Sequence, residues 1–258
     1  MSRTLDRLLL PLSLVAVLAV WEVLVRVLAV PQFILPPPSR VMVSLTAIIG
    51  NGLLLKHFLV TLREAIGGFV LAGSAAIVFS VLITHSRIAE RILYPYFTAI
   101  QAMPKIALAP LVIIWFGYGF TSKLVLAGLL AFFPMLVNFV EGLRSTDPGR
   151  LRMMRAMDAS RWQVLRYVRV PYALPFVLAG IEIGGLYAML GAIVGEFVGS
   201  SSGIGNWLMA LNVTLDTATT FALLLALAAY GVLFQKLIVM LRRRALFWAR
   251  NTEPGQSG

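Results

Sequence analysis

The chain alternates long apolar runs with short polar gaps. A helix needs about 20 largely apolar residues to cross a bilayer. Six stretches reach that length: Leu8 to Val30, then residues 58–84, 92–116, 123–142, 173–197 and 217–241. The first follows Arg3 and Arg7 and has the outline of a signal peptide. Its apolar stretch is too long for one, however, Trp21 and Glu22 interrupt it, and no clean small-x-small cleavage site follows. It reads as an uncleaved span. Pro36-Pro37-Pro38 then breaks the chain. Ser39 is placed to cap a short helix in which Val41, Met42, Leu45, Ile48 and Ile49 share a face. That pattern predicts an amphipathic helix lying in the membrane interface.

Composition agrees. Of 258 residues, 59% are hydrophobic and 13% charged, against about 45–50% and about 25% in a soluble domain. The fold expected is an all-α polytopic membrane protein. The net charge of +11 does not point to nucleic acid, because the basic residues sit in the gaps between apolar runs. Residues 1–7 carry two Lys or Arg, 85–91 two, 142–171 seven and 242–258 four, fifteen in all. The opposite gaps hold Arg40, Lys56 and Lys123. The imbalance places both ends in the cytosol. The expected divisions are 1–34 for the tail and first span, 35–57 for an extracytoplasmic loop with the interfacial helix, 58–243 for a five-span core, and 244–258 for a cytosolic tail. The chain has no cysteine, and His57 and His85 lie far apart, so no metal site is expected. No Ser/His/Asp constellation marks a hydrolase.

Small residues recur at spacing four, as Gly68 and Ala72 in the second span and Gly180, Gly184, Ala188 and Ala192 in the fifth. Such positions let helices approach closely in lipid. The third span contains Pro95, Pro104 and Pro110, which kink or break a helix and suggest a pathway element. Ionisable groups inside spans are functional candidates. Lys105 follows a helix-breaking proline, Glu182 lies near the middle of the fifth span, and Glu196 sits at its outer end beside the Gly-rich segment 199–205. Lys105 is placed either to attract an anion such as a sulfonate or to pair with Glu182. Arg63, Glu64 and Glu141, near span ends, read as snorkelling or packing groups. Ile204, Trp207, Leu208 and Leu211 form a short amphipathic helix, a gate or an interfacial anchor.

The loop 144–172 has the most local detail. Asp147-Pro148 is a helix start, with the helix running to about Met157. Asp158-Ala159 is a break, and Ser160 with Gln163 makes a capping box for a second helix ending near Arg169. Pro171 and Pro175 mark the return into the membrane. The first helix mixes Leu151, Met153, Met154, Ala156 and Met157 with Arg150, Arg152 and Arg155. Those apolar groups either pack on the span ends or dock into a partner protein.

This loop resembles the signature loop of binding-protein-dependent ABC importer permeases. The family pattern reads Glu-Ala-Ala, three residues, Gly, then about a dozen residues to hydrophobic-Leu-Pro. Here Asp158 takes the Gly position, with Ala159-Ser160 after it and Pro171 thirteen residues on. Arg152, Met153 and Met154 replace the Glu-Ala-Ala. Asp tolerates the left-handed turn expected at that site. Pro104 through Pro110, Trp115-Phe116-Gly117 and Gly195-Glu196-Phe197-Val198-Gly199 with Gly203-Ile204-Gly205 resemble the nitrate/sulfonate/taurine branch. The Pro-Lys run is also similar to permeases for thiamin-pyrimidine and riboflavin precursors.

The resemblance implies a type I importer permease fold and a second permease copy, so a homodimer in the bilayer of a bacterial inner membrane. It also implies two cytosolic ATP-binding subunits and an extracytoplasmic substrate-binding protein. ATP and magnesium are expected on those partners, and no cofactor or catalytic residue on this chain. Gly117 to Lys123 lacks the Gly-Lys-Ser/Thr ending that a phosphate-binding loop needs. The expected solute is a sulfonate, a nitrate-like anion or a vitamin precursor, moved by ATP-driven alternating access. An ion-coupled secondary transporter, with Glu182 and Lys105 as relay, is the alternative.

Overall fold

The structure is a computed structural model that describes residues 3–245, all-helical among them. The helices are α1 (Arg3–Val27), α2 (Pro38–Gly50), α3 (Leu53–His85), α4 (Arg87–Ala102), α5 (Ala109–Phe116), α6 (Phe120–Arg144), α7 (Pro148–Ala156), α8 (Arg161–Val164), α9 (Val170–Gly199), α10 (Ile204–Thr214) and α11 (Thr217–Ala245). Among the described residues, α3, α6, the rod Arg161–Gly199 and α11 are each long and apolar enough to cross a membrane. The pair Arg87–Ala102 and Lys105–Phe116 makes a fifth if counted as one broken span. Helix α1 corresponds to the first expected span. The tail expected at 244–258 falls almost wholly outside the described residues.

Helix α6 forms the centre, packed along both α3 and α9. Lipid tails are as apolar as Leu, so close packing rather than water exclusion holds such helices together. Ala127 on α6 illustrates the consequence. A Cβ added at Gly68 on α3 would overlap its methyl group, and one at Gly191 on α9 would lie 2.7 Å from its Cα. The same small residue therefore receives a glycine from each side. Around it Ala72, Ala76, Ala131, Met135, Phe139, Ala188 and Ala192 are buried. Phe79, Phe97, Phe132 and Phe133 fit edge to face above them and tie α4 to α3 and α6. Helix α1 is peripheral. Leu12, Val15, Val17 and Val20 stay exposed, and it is held through Glu22, which accepts from Ser39 N at 3.0 Å and Ser39 Oγ at 2.8 Å.

Two expectations change here, and a third is narrowed. Ser39 does not cap α2, because the helix begins at Pro38 after Pro37 and the Ser39 hydroxyl is turned to Glu22. Helix α2 is not purely interfacial either. Val41 and Ile48 are buried against Leu211, Ala222 and Leu223, while Met42 and Ile49 remain exposed. Third, of the kink or break expected in 92–116, the structure shows the break. Its two parts meet at 89° around Met103-Pro104. Pro104 alone breaks the helix. Pro95 lies inside α4, and Pro110 lies in the first turn of α5, where no backbone donor is needed.

Candidate functional site

The loop between α6 and α9 is built by local chemistry. The Asp147 carboxylate accepts from Gly149 N at 3.1 Å and Arg150 N at 3.3 Å, satisfying donors that the start of α7 would otherwise leave free. Asp158 adopts the left-handed conformation, with φ 51°. Ser160 N then donates to Gln163 Oε1 at 2.7 Å, and Gln163 N to Ser160 Oγ at 3.3 Å, so the capping box is formed. One boundary is corrected. The second helix does not end near Arg169. Residues Leu165–Arg169 form a π turn that runs directly into α9, with Val170 N bonded to Leu165 O. The wider turn lets Pro171 enter without a clash against the preceding carbonyls. Arg161–Gly199 is thus a single rod of 39 residues.

Helix α7 has two faces. At about 100° per residue, Leu151 and Arg155 share one stripe and Met153 and Met157 the opposite one. Leu151, half-buried, and Arg155, exposed, line a cavity. Met153 and Met157 are 57% and 71% exposed. Met154 is half-buried, and Arg152 and Ala156 are exposed. Arg150 lies over the Tyr172 ring, 4.8 Å from its centroid, which ties α7 to the start of α9. Leu165 is buried with Leu143 and Ala173, so the base of the loop is anchored in the bundle.

The pathway candidates do not converge. Lys105 Nζ donates to Gln101 O at 2.7 Å and lies 5.0 Å from the Phe133 centroid. Among the described residues the ion pairs are Arg26–Glu22 and Arg144–Glu90, so the Lys105–Glu182 pair is not formed. Glu182 is half-buried on α9.

Glu196 behaves differently. It is 1% exposed and accepts from Thr61 Oγ1 at 2.7 Å and from Gly205 N at 2.5 Å. Thr61 Oγ1 also accepts from Ile204 N at 2.8 Å. Glu64 and Lys123 adjoin Glu196 and are themselves buried. Lys123 Nζ donates to Gly119 O at 3.2 Å. Gly203 turns here with φ 102°, and a Cβ at that site would strike the Glu196 carboxylate. His57 stacks on Trp207 at 4.8 Å and meets Gly203 through Nδ1. The cluster fastens the Gly-rich segment and α10 to α3 and α6.

With this geometry in view, residues 68–246 match the family model described as binding-protein-dependent transport system inner membrane component. The chain belongs to this family. It is 38% identical over 239 residues to the riboflavin transport system permease protein RibX of Chloroflexus aurantiacus, covering 93% of this chain and 89% of that one. It is 31% identical to a putative aliphatic sulfonates transport permease protein of Bacillus subtilis, covering 92% and 86%. In fold it is similar to a chain of the MetNI methionine ABC transporter, with TM-score 0.64, 18% identity and coverage of 72% and 93%. The protein is the membrane-spanning permease subunit of an ABC importer, a multi-pass inner-membrane component. Its family works with an ATPase and a substrate-binding protein. The ion-coupled alternative is set aside.

The permease carries groups that sequence reasoning missed. Glu64 reads in sequence as a span-end residue, yet it is 4% exposed, and its Oε2 has no hydrogen-bond partner. Lys123 reads as an outer-loop charge, yet it is 5% exposed against α9. No local pattern reveals either, because both adjoin Glu196, which lies far from them along the chain. On the loop side, Trp162 and Tyr167 are 64% and 67% exposed, and the aromatic spacing in 160–169 was the available signal.

Proposed function

We propose that this chain forms one half of a homodimeric permease with both termini cytosolic, and that α7 inserts into a groove of each of two cytosolic ATP-binding subunits. ATP and magnesium are held on those subunits, and this chain performs no catalysis. An extracytoplasmic binding protein delivers the solute on the α10 side. The observation that carries this reading is the Met153–Met157 stripe, exposed on a helix whose start is fixed by the Asp147 side-chain cap. Such a surface is costly to leave in water and adapts well to a partner. The continuous rod from Arg161 to Gly199 supports the coupling step. Movement of α7 reaches the membrane core through a helix rather than a slack linker, and rocks α9 as a rigid body. The solute is a small organic or inorganic compound of the sulfonate, nitrate-like anion or vitamin-precursor class, supported by the substrates named for the relatives.

Uptake in sealed vesicles holding the permease with its ATPase tests the reading. Uptake that needs ATP and survives collapse of the proton gradient is expected. Uptake driven by the gradient without ATP sinks it. Retained ATPase co-purification in a Met153→Glu/Met157→Glu variant sinks the docking of α7.

A further inference from the structure

Behind α7, on the face opposite the methionines, lies a cavity of about 310 Å³. Its lining includes Thr84 and His85 at the end of α3, Arg155 of α7, Arg161 of α8 and Arg169 of the π turn. Its lining therefore includes three arginines and a histidine, and no carboxylate; Arg169 is half-buried, while Arg155, Arg161 and His85 are exposed. The acidic groups nearby are engaged or turned away. Asp147 caps α7, Glu90 pairs with Arg144 at 2.6 Å, and Asp158 is exposed in the turn, outside the wall. Arg169 is held by one bond, from Nη1 to Thr84 O at 3.1 Å, while its Nε is buried without a partner. The buried, unpartnered guanidinium nitrogen of Arg169 is costly, and an anion among the three arginines satisfies it while screening their mutual repulsion.

We propose that this cavity binds a phosphate-bearing anion, supplied by the headgroup of an anionic phospholipid or as free phosphate. Phosphate suits the site because guanidinium groups form forked, charge-assisted bonds to its oxygens. The cavity lies at the C-terminal end of α3, on the side that the Lys and Arg count assigns to the cytosol, and basic pockets between helices on that side collect anionic lipid. The bound anion joins α3, α7 and α8, and so braces the loop from the side that the methionine stripe leaves free.

The test uses the full chain in nanodiscs of phosphatidylcholine, with and without phosphatidylglycerol, read by native mass spectrometry after detergent release. Retention of phosphatidylglycerol is expected. Arg155→Gln/Arg161→Gln should weaken it roughly thirtyfold, at about fivefold per basic group near the membrane surface. Arg155→Lys/Arg161→Lys should keep most of it, which separates lost charge from lost fold. If 10 mM inorganic phosphate protects Arg161 from glyoxal modification equally well in pure phosphatidylcholine, the site takes free phosphate. Equal lipid retention by wild type and the glutamine variant, with no protection by phosphate, overturns the proposal. So does a glutamine variant that keeps its lipid and loses only the ATPase, because the arginines then serve the protein interface.

Discussion

The two ends of the rod from Arg161 to Gly199 solve opposite problems. At the Gly199 end, the outer one in the proposed topology, Glu196 is buried and meets Thr61 and Gly205 within the chain. At the Arg161 end, the inner one in that topology, Met153, Met157, Trp162 and Tyr167 stand exposed, and seven basic residues gather in 142–171. Buried ionisable groups must find partners internally, because membrane and protein interior both penalise an unpaired charge. Exposed apolar groups on a capped helix answer to something outside the chain. One end fastens the permease to itself, and the other offers it to a partner.

The sharpest way to break this contrast is at the outer end. Glu196→Ala removes the buried carboxylate that accepts from Thr61 Oγ1 and Gly205 N, and should cost about 2–4 kcal/mol of stability. A thermal melt in detergent checks this, and an unchanged midpoint would show that the cluster does not hold the outer loop. The mirror experiment is Met153→Glu/Met157→Glu. Here the melt should stay at the wild-type value, while ATPase capture and uptake fall at least about tenfold, the size expected when two interface anchors are removed. A joint loss of stability would place the methionines in the core and erase the contrast.

Smaller effects sharpen the loop itself. Asp158→Val forces a β-branched side chain into the left-handed turn and should cost about 1–2 kcal/mol. Limited proteolysis at 157–160 should then quicken, and an unchanged cleavage rate would mean that the turn conformation does not control loop order. The smallest effect is expected at Lys105→Gln. The residue is tied to Gln101 O and the Phe133 ring, so its loss should cost about 1 kcal/mol of stability and leave uptake within about fivefold. A changed substrate preference would return Lys105 to the pathway.

The loop was legible in sequence because its determinants are neighbours. Asp147 reaches Gly149 and Arg150, Ser160 reaches Gln163, and Asp158 needs only its own φ. Residue type and spacing specify such motifs directly. Pro104 was legible as a helix breaker for the same reason, although its angle was not. Glu64 and Lys123 were misread because a position near a span end looks the same whether it faces headgroups or another helix. The end of the second helix was misplaced because Leu165–Arg169 continue as a π turn into α9, with Leu165 packed against Leu143 and Ala173.

By itself, then, the sequence determined the apolar runs, the charge asymmetry of their gaps and the caps of the loop, all matters of composition or of contacts within a few residues. Only the tertiary structure decided which methionines face outward, that α8 continues into α9, and that Thr61, Glu64, Lys123 and Glu196 meet. The last of these depends on glycine-mediated approach of α3, α6 and α9 and on a contact between residues more than a hundred positions apart, and no local spacing encodes any of the three.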